Sequence, residues 1–596
     1  MMCLGVGARD ANAFGAGLRE GRLPDVDSLT YQGLFSQHWY QTGGPETEHA
    51  VSVAAAGARA CDLDLPWHPA AEDDVWVGCF LNALKDGKPR DSTPIDLIVV
   101  VDTSGSMSAP LSRGSFQSSG QDASSRLGFA KEALGSLLAT MRDDDGFGLA
   151  SFTTVGKVVQ PLALLGSLDQ ASLAERIGAL KADGGTTLSA GMDAAIGIRK
   201  QASAMPDGVR HQRLLFLTDM DDLTPGPLDD MIENEAKQGC YVSIVGISSG
   251  FNTQLAEVAS KHKGCNYFCI TKADELHKVA VADFDWNFFP AAFEVEVAQQ
   301  SGDYDLLDVY GTPYDAKDEQ VQASWTPLTH RFYPPSFREQ ARALLLCARR
   351  LSRSRTDSSA TAVGIASGSL PMPALQRILD FLSPAVRSVI RVDTVFPSGV
   401  GSDGSVEGGL VLLRFRPRPG LKATAAGKVR LMLQYTADGD ARATCVDVDI
   451  PSQAPGALGP GVASSADSVL KPALRKGVVL QRFIEVCRRF LAVAKADSNS
   501  ASTRHSGAAL FRPQLRAIEA AQAPKPQTTV DEGVAEGRKS LSGALSDVED
   551  LRQALDGSEA VAADVESMCP GLLEQLRGFV DKARSYVKDQ TSLAAQ

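Results

Sequence analysis

The chain predicts an α/β protein: a doubly wound, mostly parallel sheet flanked by a β-sandwich-like domain and C-terminal helices. Three observations predict this. Strand and helix patterns alternate from residue 94 to 280, strand-like runs recur on both sides of that stretch, and the chain ends in helical periodicities. At 596 residues and 44% hydrophobic, the chain is too long for one core and apolar enough for several.

The alternating stretch opens with IDLIVVV (95–101), a continuous apolar run of the kind a strand buried on both faces requires. RLGFAKEALGSLLATMR (126–142) has the i, i+3, i+4 spacing of an amphipathic helix. GFGLASFTT and KVVQPL read as strands, and LDQASLAERIGALKA and LSAGMDAAIGIRKQA as helices. RLLFLTD reads as a strand, and LDDMIENEAKQG as a helix ending at Gly239. YVSIVGI is a strand, NTQLAEVASKHKG a helix and NYFCI the last strand, so the unit spans 94–280.

Upstream, residues 1–45 form a Gly-rich, irregular N-terminal segment whose aromatic cluster LTYQGLFSQHWYQTG could dock onto a later domain. Residues 46–93 hold two strands, HAVSVAAAGARA and DDVWVGCFLNAL. Downstream, residues 281–462 hold AAFEVEVAQQ, LLDVYGTP, GGLVLLRFRP, KVRLMLQYTA and ATCVDVDI, broken by Gly, Pro and Asp turns, with a helix at 335–354 among them. Strands on both sides suggest that the α/β unit is inserted into the sandwich. A helix (463–496), a linker (497–529) and further helices (530–596) close the chain.

Net charge is −13, from 59 basic and 72 acidic residues, which excludes a chain-wide nucleic-acid or anionic-membrane surface. The longest apolar runs are strand-sized and far short of a membrane span, and the N-terminus lacks a basic region followed by an apolar core. Ten Cys are scattered too thinly for a disulfide-stapled module and read as reduced thiols. Cys265 and Cys269 lie on one strand, roughly 13 Å apart by the rise per residue, too far to bridge. No Cys or His has zinc-like spacing. A soluble, cytoplasmic protein is expected.

The informative residues sit at strand ends, where open α/β sheets bind ligands. Strand 95–101 runs into Asp102, Ser104 and Ser106, whose i, i+2, i+4 spacing lets their oxygens converge in an extended turn. The GGTT loop (184–187) sets Thr186 and Thr187 before a helix, and strand RLLFLT ends at Asp219. Two carboxylates and several hydroxyls, without His or Cys, form an all-oxygen set that suits Mg²⁺, with Ca²⁺ or Mn²⁺ as alternatives. One position would stay open for an outside carboxylate. Ser, Thr and Asp also cap helices and turns, but capping alone does not explain five placements at the strand ends of one fold.

On these residues the chain resembles the von Willebrand factor type A domain with its metal-ion-dependent adhesion site. The family pattern is Asp-x-Ser-x-Ser after the first strand, a Thr in a Gly-Gly-Thr-like loop and an Asp after the fourth strand. Asp102, Ser104, Ser106, Thr186 and Asp219 match it in order, over about 180 residues. The resemblance implies that the Ser and Thr hydroxyls hold Mg²⁺, that the Asp carboxylates bind it directly or through water, and that an acidic side chain of a partner protein completes the shell. Two departures stand out: Met220, with Asp221 and Asp222 beyond it, replaces the usual Gly, and the loop SAPLSRGSFQSSGQDASS after Ser106 is long. Thr187 is an alternative ligand to Thr186. DVYGTP (308–313), DTVFPS (393–398) and VEGGLVLL (406–413) are similar to segments of such proteins in which strand-rich regions flank the domain.

The expected function is therefore non-enzymatic: a divalent-metal-dependent protein-interaction, adhesion or scaffold role, within a larger assembly or alone. Other motifs compete. GISSG (246–250) spells the GxSxG of a serine hydrolase with Ser248 as nucleophile, but a strand-to-helix turn is needed there anyway. GVGSDG (399–404) spells GxGxxG, yet a strand follows where a dinucleotide site needs a helix. The Arg run on 335–354 reads as a solvated helix face. A third alternative is a structural subunit with a silent metal site. The α/β unit is acidic, with 15 Lys/Arg against 22 Asp/Glu over 94–275, which suits a cation holder.

Overall fold

The computed structural model describes residues 7–9, 11–38, 40–42, 49–63, 65, 67, 73–110, 125–201, 205–206, 208–219, 226–247, 260–312, 388–399, 407–421, 425–437, 439–451, 465–505, 530–557, 559–569 and 571–595. The chain opens with β1 (Gly7–Arg9), α1 (Ala11–Arg19), α2 (Tyr31–Gln37) and β2 (Tyr40–Gln41), then β3 (Val51–Arg59) and β4 (Val75–Ala83). From there strands and helices alternate: β5 (Ile95–Asp102), α3 (Arg126–Thr140), β6 (Gly146–Phe152), β7 (Gly156–Leu164), α4 (Gln170–Gly178), α5 (Leu188–Lys200), β8 (His211–Thr218), α6 (Gly226–Lys237), β9 (Cys240–Ile247) and β10 (Asn266–Ile270). The remaining strands are β11 (Ala292–Gly302), β12 (Tyr304–Tyr310), β13 (Ser388–Val395), β14 (Glu407–Pro417), β15 (Gly427–Ala437) and β16 (Asp440–Ile450). Three long helices, Ser465–His505, Val530–Asp556 and Leu572–Ala595, with the short Glu559–Met568, end the chain.

The α/β unit is a seven-stranded sheet in the order β1-β10-β9-β8-β5-β6-β7. Every pairing is parallel except β6 with β7. All eight residues of β5 are buried, as a central strand covered on both faces must be. Separate apolar cores lie on the two faces, one built on Leu97, Val99 and Leu217, the other on Ile98, Val100 and Phe216.

The sandwich consists of a four-stranded sheet, β13-β11-β15-β16, and a five-stranded sheet whose main path is β12-β14-β4-β3. Strands from before and after the α/β unit pair directly, as in Val77 with Leu413, so the unit is an insertion. Inward side chains of both sheets, among them Val77, Leu413, Val297 and Leu431, share one core. Gly57 is required where the sheets touch, because a Cβ there would lie 2.3 Å from Ile450 Cδ1. The outer face of the five-stranded sheet is covered by the C-terminal helices, through Phe80, Leu410 and Leu412 against Leu474, Val478 and Phe483.

Two sequence expectations need correction. The described part of residues 1–45 is not irregular: β1 pairs with β10, and α1 and α2 bury Phe14, Leu34 and Phe35. The reason is tertiary, since the segment covers the open edge of β10 and its Phe14 stacks near Phe483 and Phe579 of the C-terminal helices. The aromatic cluster docks as well, with the Tyr31 ring 4.8 Å from that of Tyr310. Residues 497–505 of the expected linker are helical, because the helix from Ser465 continues to His505; a packed helix extends cheaply once nucleated. The helix expected at 335–354 lies outside the described residues.

The inserted unit is welded at its entrance. Arg90 forks onto Asp145 at 3.0 and 2.6 Å, while Asp145 also accepts the N–H groups of Ile95 and Arg142. Burial alone would raise the Asp145 carboxyl, but these donors outweigh it and hold it below the ordinary carboxylate range. The Arg90 guanidinium also lies over Phe284 and Phe289. Asp145→Ala strands that buried guanidinium and should destabilise the protein by about 3–5 kcal/mol in chemical denaturation. An unchanged midpoint would show that the pair holds little.

Candidate functional site

The neighbours of β5, β6 and β8, lie on its two sides, so the connections diverge at its carboxyl end and leave a crevice. Asp102 closes the strand there. Its Oδ1 accepts the Ser104 N–H at 2.8 Å, an Asx-type turn that bends the chain into the one-turn helix Gly105–Ser108. Its Oδ2 accepts the Thr218 hydroxyl at 2.7 Å, which ties β5 to the end of β8. The turn brings the hydroxyls of Ser104 and Ser106 to 3.0 Å from each other. Asp219 follows Thr218, and its Oδ2 accepts Arg126 Nη1 at 2.6 Å.

The GGTT loop reaches the same end through its backbone. Asp183 N–H donates to Thr103 O at 2.8 Å, and Gly105 N–H to Gly184 O at 2.9 Å. Gly184 sits at φ +79°, a conformation that favours glycine. Thr187 N–H donates to Thr153 O at 2.9 Å. Thr187 is the N-cap residue of α5, yet its side chain makes no capping bond. Thr186 and Thr187 are both half-buried at this rim. Thus Asp102, Ser104, Ser106 and Asp219 share a hydrogen-bonded neighbourhood, and main-chain bonds on either side of Thr186, at Asp183, Gly184 and Thr187, tie its loop to the ends of β5 and β6.

Asp102 and Asp219 are fully buried. Burial pushes the Asp102 carboxyl up and the nearby Asp219 charge adds to this, opposed by the hydrogen bonds from Thr218 and Ser104. The Arg126 guanidinium pairs with Asp219 alone, so a cation nearby would favour the charged form of the desolvated Asp102 carboxyl. Among the described residues no three His, Cys, Asp or Glu side chains gather as a metal set, so the donors on offer are hydroxyls and a carboxylate pair. That chemistry fits a hard dication. Octahedral ligands about 2.1 Å from Mg²⁺ stand about 3.0 Å from each other, which is the spacing of the two serine hydroxyls.

Sequence reading missed Thr218 and Arg126. Thr218 was legible only as the last strand residue, and Arg126 stands far along the chain, behind the long loop. That loop leaves and returns at one point: Pro110 bridges Ser125, and Arg126 N–H donates to Ala109 O at 2.9 Å. Residues 111–124, the departure at Met220, Asp221 and Asp222, and the candidate nucleophile Ser248 lie outside the described residues. Thr218→Val removes the donor to a buried carboxylate and should cost about 1–3 kcal/mol in thermal unfolding, whereas Thr218→Ser should cost far less. Equal losses from both would mean that the hydroxyl is not what holds Asp102.

Residues 96–281 match the model of the family described as von Willebrand factor type A domain. Such domains generally mediate protein–protein interaction, often with a divalent metal. No curated protein matches the chain. Among solved structures, it is similar to a von Willebrand factor type A protein from Catenulispora acidiphila, at 13% identity and a TM-score of 0.40, covering 78% of this chain and 83% of that one. The ArnB paralog VWA2 from Sulfolobus acidocaldarius is similar at 9% identity and a TM-score of 0.33, covering 90% and 98%. Proximal thread matrix protein 1 from the mussel byssus, solved with a zinc-occupied metal-ion-dependent adhesion motif, is similar at 16% identity and a TM-score of 0.26, covering 32% and 47%. The family match and the strand-by-strand reading agree: residues 96–281 of this chain are a von Willebrand factor type A domain.

Proposed function

We propose that this chain is a non-enzymatic interaction protein that grips a partner's acidic side chain through a divalent metal. The observation that carries the reading is the Ser104–Ser106 hydroxyl pair, 3.0 Å apart and flanked by the buried carboxylates of Asp102 and Asp219. Ser104, Ser106 and Thr186, with Thr187 as the alternative hydroxyl, would hold the ion. Asp102 and Asp219 would balance its charge directly or through water. Mg²⁺ suits this oxygen set, with Ca²⁺ or Mn²⁺ as substitutes. When bound, the ion supplies a strong, partly desolvated positive charge for an outside carboxylate.

The protein's own residues preorganise that grip. Thr218 orients Asp102, the Asp102-to-Ser104 turn aims the two serines, and the backbone ties at Gly105 and Asp183 set the threonine loop. Among the described residues no helix is long and apolar enough to cross a membrane.

A second reading, a structural subunit whose metal site is silent, is favoured by one observation: the Arg126 guanidinium already rests on Asp219. Capture of partners from an extract, with and without a chelator and read by mass spectrometry, separates the two. Chelation, Asp102→Ala and Ser106→Ala should each weaken capture at least about tenfold while the circular dichroism of the chain persists. Stoichiometric capture that survives all three would establish the silent subunit and refute the metal-dependent reading.

A further inference from the structure

We propose that Arg126 is a resident cation of the site, occupying Asp219 until a divalent ion displaces it and thereby setting the metal concentration at which the site loads. The inference rests on the metal-binding reading above and adds its regulation.

Arg126 is the first residue of α3, and its position is fixed from both sides. The Ser125 hydroxyl caps the helix by accepting Gly128 N–H at 3.0 Å, and Arg126 N–H is held by Ala109 O. From this anchored start the side chain reaches inward. Nη1 donates to Asp219 Oδ2 at 2.6 Å and lies 3.5 Å from the Ser106 carbonyl oxygen. The guanidinium therefore spans two of the segments that carry candidate ligands, the end of β8 and the turn after β5. Its side chain is 17% exposed, against 0% for Asp219, so the charge pair is largely cut off from water.

In such a place a guanidinium and a metal dication compete for the same carboxylate. If the arginine stays, the ion enters against a like charge that little water screens; if it leaves, its bond to Asp219 is lost. Either way the charge opposes metal entry. The arginine also explains how a fully buried Asp219 is tolerated without metal, since a buried carboxylate is costly unless a cation is paired with it. A simple helix-surface arginine would face solvent and would not reach the crevice at 2.6 Å.

The test uses the full chain and Mn²⁺ alone as the probe, followed by calorimetry and by the electron paramagnetic resonance of the free ion. Arg126→Gln, which removes the charge and keeps hydrogen-bonding capacity, should bind Mn²⁺ about tenfold more tightly or better, while Arg126→Lys should stay nearer the unaltered chain. Unchanged or weaker binding by the glutamine variant, with binding that Ser104→Ala abolishes, would overturn the role of Arg126 and leave the metal reading standing. Absence of Mn²⁺ binding by both the unaltered chain and the glutamine variant would overturn both. Should the glutamine variant fail to fold, hydrogen exchange of the unaltered chain decides the matter. Mn²⁺ should change exchange in the first turn of α3 as the arginine is released, and an unchanged turn would refute the inference.

Discussion

Two carboxylates, Asp102 and Asp219, end adjacent parallel strands and are both shut away from water. Leaving such charges unpaired in a protein interior is prohibitive, so everything near them is arranged to answer it. Thr218 and the Ser104 N–H serve Asp102, Arg126 serves Asp219, and two serine hydroxyls face each other at the opening. The rest of the α/β unit makes that arrangement rigid. β5 is buried along its full length, and the loops at its carboxyl end are tied by main-chain bonds as well as by the Arg126 side chain.

Around this unit the chain builds a frame that starts before it and finishes after it. β3 and β4 wait for β12 and β14 to complete their sheet, while β11, β13, β15 and β16 supply the facing one. The two parts meet through buried cations as well as apolar contact. Arg90 reaches into the α/β unit at Asp145, and Arg213 of β8 is wholly buried with its guanidinium near the rings of Tyr241, Phe288 and Phe396. Gly264 N–H donates to the Thr394 hydroxyl of β13 at 2.8 Å, a further stitch between the unit and the sandwich.

Much of this was legible from residues alone, because the signals were local and strong. Runs such as IDLIVVV and RLLFLT can hardly be anything but buried strands, and polar residues at their ends mark where a ligand can sit. The insertion was readable too, since strand patterns stood on both sides. What escaped was long-range. β1 is three residues long and exists only because β10 offers an edge, so no window of sequence shows it. The polar tail of the helix from Ser465 is helical because the part before it is packed, a cause its own composition hides. Arg126 opens a stretch whose spacing shows only an amphipathic helix; the chain's return after the long loop is what brings it into the crevice.

The interrupted sandwich also dictates an order of assembly. β4 ends at Ala83, but its antiparallel neighbour β14 begins only at Glu407. On a ribosome working from the N-terminus, the hairpin of β3 and β4 must persist with its apolar faces uncovered while the whole central unit is synthesised. That unit closes its own sheet apart from the short contribution of β1, so it is able to mature first and hold the early hairpin at a fixed place. Such connectivity favours assembly from the middle outward, with the unpaired edge of the β3–β4 hairpin open to mispairing until β14 arrives.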